Sequence, residues 1–399
     1  MKHLSVLLVC CMVLSLSAAD EAPDQTSLAE APHWPVGFLL TADVIRGWRN
    51  WERRLQDTRA HVLVWTPPGL ERLRGALLIP NNTDSKHVGE HQAVREVAAR
   101  HGLGIVYFRY LGGSVIERTE PPEQAEALMA AIMDQVAVHT GVDGYRHAPW
   151  ITFGKSSRGR FPFRTTWWFP DRVIASITYH GETPTWPMPE WSRVEDQSVL
   201  HVAINGEREW DGTWYRHVRP CLLNYHLNTS WLAHMVVLPN EGHGNYVDAH
   251  GSPGWGQPVP EGRISCLRVW DYIALYIDRA MTLRVPADAD AAAGPIALQQ
   301  VTRDGGYLIH PRAPEELQDL RWYAFRYHAG AYRVIPWPDE PSPVHDMHPG
   351  RIDRELLIRP VSAVPEQERR HHLWIPDRDM LGAWLDLHGH SRDLMPDPE

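Results

Sequence analysis

Between His61 and Leu283, short uninterrupted apolar runs alternate with stretches of helical periodicity, and this alternation limits the fold more than any other feature. His61-Val62-Leu63-Val64-Trp65, Gly75-Ala76-Leu77-Leu78-Ile79-Pro80, Gly104-Ile105-Val106-Tyr107-Phe108, Trp150-Ile151-Thr152-Phe153, Arg172–Ile177, Val199–Ile204 and Met235–Leu238 read as strands. Most lack the polar alternation of a half-exposed strand, so they belong in a sheet covered on both faces. His91–Arg100, the stretch from Pro121 to His139 and Leu267–Leu283 read as helices, with Ala125, Leu128, Met129, Ile132 and Val136 at helical spacing in the second. Strands alternating with helices predict an α/β fold, a mostly parallel central sheet flanked by helices.

The chain has 399 residues, of which 43% are hydrophobic, enough for one large core. Met1-Lys2-His3, the apolar run Leu4–Leu16 and the small residues Ser17-Ala18-Ala19 have the order of a secretory signal, so residues 1–19 are predicted to be cleaved and the mature protein exported, secreted or periplasmic. The apolar run is short for a membrane span, and charged residues interrupt every later apolar stretch, so no stable membrane insertion is expected after cleavage. Residues 20–35 are rich in Pro, Ala and Glu and read as flexible. Residues 36–287 form the predicted main domain. The run from Asp288 to Gly294 reads as a linker, and 295–399 as a small β-rich C-terminal appendage, with Tyr307-Leu308-Ile309 and Glu355–Ile358 as strand-like pieces. Cys10 and Cys11 leave with the signal. Cys221 and Cys266 remain, and an oxidising compartment permits one disulfide between them. The net charge of -10 argues against sequence-independent nucleic-acid binding, which needs a basic surface.

The chemistry centres on Gly154-Lys155-Ser156-Ser157-Arg158-Gly159, placed directly between a strand and a helical stretch. A nucleophilic serine needs a sharp strand-to-helix turn that lifts its oxygen above the sheet, and only a tiny residue two places earlier lets the backbone pack there. Gly154 fills that place for Ser156. Ser157 is the alternative, with Lys155 at the crowded position. The backbone N–H of Ser157 and a donor from the loop after Ile79, Asn81 or Asn82, would hold the oxyanion. Acid and histidine should follow in that order, on loops after later strands. Gly206-Glu207-Arg208-Glu209-Trp210-Asp211 and Asn240-Glu241-Gly242-His243-Gly244-Asn245 supply both. His243 is the base. The acid is Glu209, with Glu207, Asp211 and Glu182 as the other candidates.

The stretch from Gly75 to Leu283 resembles the α/β-hydrolase superfamily. Phe153–Gly159 followed by Pro170-Asp171-Arg172-Val173 is similar to two exported branches, the glucuronoyl esterases with a G-C-S-R-x-G-K elbow and the PhoPQ-activated pathogenicity-related proteins with a G-x-S-K-R-G elbow. Both carry a glycine three residues after the serine, where Gly159 stands relative to Ser156. The chain departs from them at Lys155 and at Arg158, which lies two places after Ser156 rather than one. The resemblance implies a serine hydrolase, and the choice of Glu209 as acid follows the superfamily's spacing.

The chain has 18 Trp, and Trp186, Trp210, Trp214 and Trp255 fall on the loops at the expected carboxyl ends of strands. An aromatic-lined site there would take a small-molecule or polysaccharide ester. The histidine groups His371-His372, His388-Gly389-His390 and His345-Asp346-Met347-His348 lack metal-ligand spacing with a third partner, so neither metal nor other cofactor is expected. The leading expectation is a carboxylic ester hydrolase. A serine peptidase of the same fold and a non-catalytic carbohydrate-binding protein of that fold are the alternatives.

Overall fold

The computed structural model describes residues 33–40, 61–82, 85–109, 122–181, 198–206, 232–238, 264–310, 326–328, 331–333 and 357–397. In chain order the elements are β1 (Val36–Leu39), β2 (His61–Trp65), β3 (Gly75–Pro80), α1 (Ser85–Glu90), α2 (Gln92–His101), β4 (Leu103–Arg109), α3 (Pro122–Thr140), β5 (Trp150–Lys155), α4 (Arg160–Trp168), β6 (Val173–Tyr179), β7 (Leu200–Gly206), β8 (Leu232–Leu238) and α5 (Cys266–Arg284). The C-terminal elements are β9 (Tyr307–His310), β10 (Arg326–His328), β11 (Ala331–Arg333), β12 (Leu357–Pro360), β13 (Leu373–Ile375) and α6 (Arg378–Leu387).

Eight strands form one sheet in the order β1-β2-β4-β3-β5-β6-β7-β8. β1 and β2 pair antiparallel with each other, β2 pairs antiparallel with β4, and every pairing from β4 to β8 is parallel. This is the α/β-hydrolase fold. The continuous apolar runs follow from burial on both faces. Leu77 and Ile79 of β3 enter one core with Leu63, Ile105, Ile151 and Phe153, while Ala76 and Leu78 enter the other with Val62, Val64, Val106 and Trp150. The first core is covered by α2 and α5, through Val94, Val97, Val269, Ile273 and Ile277. The second is covered by α3, through Ala125, Leu128, Met129, Ile132 and Val136.

The segment after α5 is less linker-like than its composition suggests. Asp290 caps a short turn through Ala292 N–H, and Ala291 is fully buried with its N–H on the Leu73 carbonyl at 2.8 Å. The small side chains let this backbone lie flat across the amino ends of the strands. Cys266 opens α5 and is buried, whereas Cys221 lies outside the described residues, as do residues 1–19. Among the described residues no helix is long and apolar enough to cross a membrane.

The C-terminal part forms a three-stranded antiparallel sheet in the order β12-β9-β13, joined by α6, a helix that the sequence reading had not singled out. Its Leu308, Ile309, Trp374, Leu381 and Trp384 belong to the same core as β8 and α5. β8 is the last strand of the large sheet, and side chains of this region satisfy its outer edge. Trp384 Nε1 donates to the Met235 carbonyl at 2.7 Å, and Val237 N–H donates to His388 Nε2 at 2.9 Å. His388 is therefore neutral, with its proton on Nδ1, which donates to the Trp384 carbonyl at 2.7 Å.

Burial holds His388, His201 and His234 at about 3, far below the ordinary histidine value. His201 Nδ1 faces the Ser176 hydroxyl at 2.6 Å and His234 Nε2 the Tyr272 hydroxyl at 2.6 Å. The native state excludes protons that the unfolded chain takes up, so stability is full above about pH 6.5 and falls as the pH drops from there toward 3, by up to about 1.4 kcal/mol per pH unit for each histidine. Urea denaturation at several pH values between 7.5 and 5 should show this decline. In His388→Gln the slope should be shallower by roughly one proton's worth, and an unchanged slope would remove His388 from the account.

Candidate functional site

The strand order reverses at β3. From there the chain goes to β4 on one side and, after α3, to β5 on the other. Ligands of open α/β sheets bind outside the carboxyl ends of the strands at such a switch point. The loop after β3 carries Asn81 and Asn82, and the turn after β5 carries Ser156, so both sit at that crevice.

Ser156 has φ +53°, one of two non-glycine residues in the left-handed region among those described. This conformation costs a side-chain-bearing residue about 1–2 kcal/mol, and surrounding packing holds it. A Cβ at Gly154 would stand 2.2 Å from the Arg158 carbonyl oxygen and 2.6 Å from Pro162 Cδ. A Cβ at Gly181, just past β6, would stand 2.8 Å from Gly159 Cα and 3.3 Å from the Ser156 carbonyl oxygen. The glycine three places after the serine thus meets a glycine from the neighbouring strand, backbone against backbone. Gly159 N–H closes the turn on the Ser156 carbonyl at 2.9 Å, and α4 begins at once. Ser156 is half-buried, whereas Ser157 is exposed.

The loop after β3 is fixed against this turn. Asn82 Nδ2 donates to the Lys155 carbonyl at 2.5 Å, and Arg158 Nε donates to the Asn81 carbonyl at 3.1 Å. Tyr107 of β4 donates to Asn81 Oδ1 at 2.6 Å. Arg158 and Tyr107 therefore position the loop, a role that reading the turn motif in isolation did not expose. Lys155 is 5% exposed, and its ammonium lies 5.2 Å from the Tyr179 ring centre, a cation–π contact.

His180 was also missed. It follows β6, has φ +45°, is buried, and packs on Tyr179 at 4.3 Å between ring centres. Its N–H donates to the Ile204 carbonyl of β7 at 2.7 Å. The signal available was a His-Gly pair placed directly after a strand.

Glu209, His243, Trp186, Trp210, Trp214 and Trp255 lie outside the described residues, as do Glu182, Glu207 and Asp211. What the structure gives for them is the root of each loop. β7 ends at Gly206 and β8 at Leu238, and both run parallel to β5, so these roots share one sheet edge with Ser156. Among the described residues no group of three or more His, Cys, Asp or Glu side chains is placed to hold a metal ion.

The fold and this turn define the class to which the chain is comparable, the α/β-hydrolase-fold proteins. The sequence matches no family model and no curated protein. Among solved structures it is similar to a predicted CIB-like hydrolase from Thermoplasma acidophilum, at 13% identity and a TM-score of 0.31, over 46% of this chain and 84% of that one. It is also similar to a dienelactone hydrolase-like promiscuous phosphotriesterase from metagenomic libraries, at 14% identity and a TM-score of 0.36, over 56% and 93%. At these identities and TM-scores the likeness bears on neither substrate nor mechanism.

The turn geometry makes a stability prediction. Ser156→Gly should gain about 1 kcal/mol by relieving the left-handed strain, whereas Ser156→Ala should gain nothing. Gly154→Ala and Gly181→Ala should each lose several kcal/mol, because backbone blocks the new methyl. Denaturation midpoints of the four variants would test it, and equal stability of Ser156→Gly and Ser156→Ala would contradict it.

Proposed function

We propose that the protein is a hydrolase and, more finely, a serine hydrolase that cleaves carboxylic esters with Ser156 as nucleophile. The observation that carries this reading is the strained, glycine-packed turn that holds Ser156 at the switch point of the sheet. A strained strand-to-helix turn at the carboxyl edge is the arrangement that exposes a serine oxygen to a substrate. In this reading Ser156 Oγ attacks the ester carbonyl while His243 takes its proton, and His243 returns that proton to the departing alkoxide. Water then attacks the acyl-serine by the same route in reverse and frees the acid. Glu209 orients His243 and stabilises its cation. The Ser157 N–H and a donor from the Asn81-Asn82 loop bind the oxyanion. Trp186, Trp210, Trp214 and Trp255 form the wall for a carbohydrate-linked or aromatic ester. The leader-like residues 1–19 support export.

A fluorophosphonate probe should label the wild-type protein and fail to label Ser156→Ala. Against a panel of chromogenic and methyl glucuronoyl esters, Ser156→Ala and His243→Ala should each lose roughly a thousandfold or more in kcat. Among Glu209→Gln, Glu207→Gln, Asp211→Asn and Glu182→Gln, one substitution should approach that loss, and Glu209→Gln is the one expected. A folded wild type that takes no label would refute catalysis by Ser156. Turnover of amide but not ester substrates would redirect the reading to a peptidase.

A further inference from the structure

The opposite edge of the sheet holds a second concavity. A cavity of about 450 Å³ opens at the amino ends of β5, β6 and β7, lined in part by Pro149, Arg172, Ser198, Arg284, Ile296 and Leu298. Since β5 is six residues long, this cavity lies about 20 Å from Ser156, at about 3.3 Å per residue.

Two arginines, Arg172 and Arg284, line it. Arg284 closes α5 and is 2% exposed. Its Nη1 donates to the Gln299 carbonyl, and among the described residues its buried Nε has no hydrogen-bond partner. Arg172 lies flat over the Trp150 ring, 4.0 Å from the ring centre. Its Nη2 donates to the Arg146 and Ala148 carbonyls at 3.0 Å each, and among the described residues its Nε and Nη1 make no hydrogen bond. Among the described residues neither guanidinium has a carboxylate oxygen within 4.0 Å. Asp171 lines the same cavity and favours the Arg284 cation from beyond that range. Burial lowers both arginines to about 10, and they remain charged at neutral pH.

Burying a cation without a paired anion costs several kcal/mol. A structural arginine at such depth normally meets a carboxylate. Here the two planar forks are instead fixed by main-chain carbonyls and an aromatic face, which orients them and leaves donors over. The opposite wall is held as well. Ser198 Oγ donates to Gln300 Oε1 at 2.7 Å and to the Val301 carbonyl at 3.1 Å, and Gln299 N–H donates to the Arg284 carbonyl at 2.8 Å. Pro149, Ile296 and Leu298 supply an apolar part of the lining, beside the polar His147, Asp171 and Gln300.

We propose that this cavity is a binding site for a small organic oxyanion, a carboxylate or phosphate head received by Arg172 and Arg284 with an apolar body against Pro149, Ile296 and Leu298. The ligand is distinct from the ester handled at Ser156, because the whole thickness of the sheet separates the two places. Its binding stabilises the joint between the large sheet and the segment that follows α5.

Thermal unfolding and calorimetric titration of the full chain with benzoate, phenyl phosphate and uncharged benzyl alcohol test the site. Benzoate or phenyl phosphate should raise the melting temperature and benzyl alcohol should not, and Ser156→Ala should respond like wild type. Arg172→Gln should weaken binding roughly tenfold or more, by loss of a charge-assisted bond. Ala297→Trp, at an exposed position of the wall, should abolish binding without disturbing the fold. No response to either anion overturns the proposal, and so does binding that persists in both variants.

Discussion

The contact between Gly159 and Gly181 is the constraint on which the site depends. Two backbones meet there at a distance that admits no side chain. Gly154 makes a similar approach to Arg158 and Pro162. Together these contacts force the chain to leave β5 and enter α4 across four residues, and the left-handed Ser156 is the consequence. The strain at one residue is small beside the packing of β5 and β6, both fully buried along their length. A turn held this way is rigid, which is what the proposed catalysis by Ser156 would require.

The same residue types elsewhere in the molecule show why geometry decides. Ser176 and His201 are hydrogen-bonded at 2.6 Å, the kind of pair a nucleophile needs. They face each other on adjacent strands inside the core, 0% and 2% exposed. No substrate reaches them, and burial keeps His201 from accepting a proton at neutral pH. That pair is part of the core. The turn at Ser156 differs from it by lying at a sheet edge where the strand order reverses.

The small C-terminal sheet is separate from the large one, and the helix beside it packs against the large sheet's last strand. An edge strand exposes a row of unpaired backbone groups. On β8 the Trp384 and His388 side chains take up two of them, so the strand that leads into the loop carrying His243 is anchored before that loop begins. At the other end of the sheet, the segment after α5 lies across the strand starts and forms one wall of the arginine-lined cavity.

The strands and main helices were legible in the sequence because burial on both faces demands continuous apolar runs, and the runs at Gly75–Pro80 and Trp150–Phe153 have no other use. The preference for Ser156 over Ser157 rests on the sequence, because Gly154 stands two places before the first and Lys155 before the second. β1, α6 and the docking of the Asp288–Gly294 segment were not, since short elements take their stability from partners distant in sequence. Nor were the positions of Arg158, Tyr107 and His180, whose contacts with Asn81 and with β7 join residues far apart along the chain. Local pattern determined which segments become strands and where the turn falls, because periodicity and glycine placement act over a few residues. Only tertiary structure decided why the glycine three places after the serine is required and that, among the described residues, Arg172 and Arg284 line one cavity with no carboxylate in ion-pair range, because both facts depend on what a different strand or helix brings alongside.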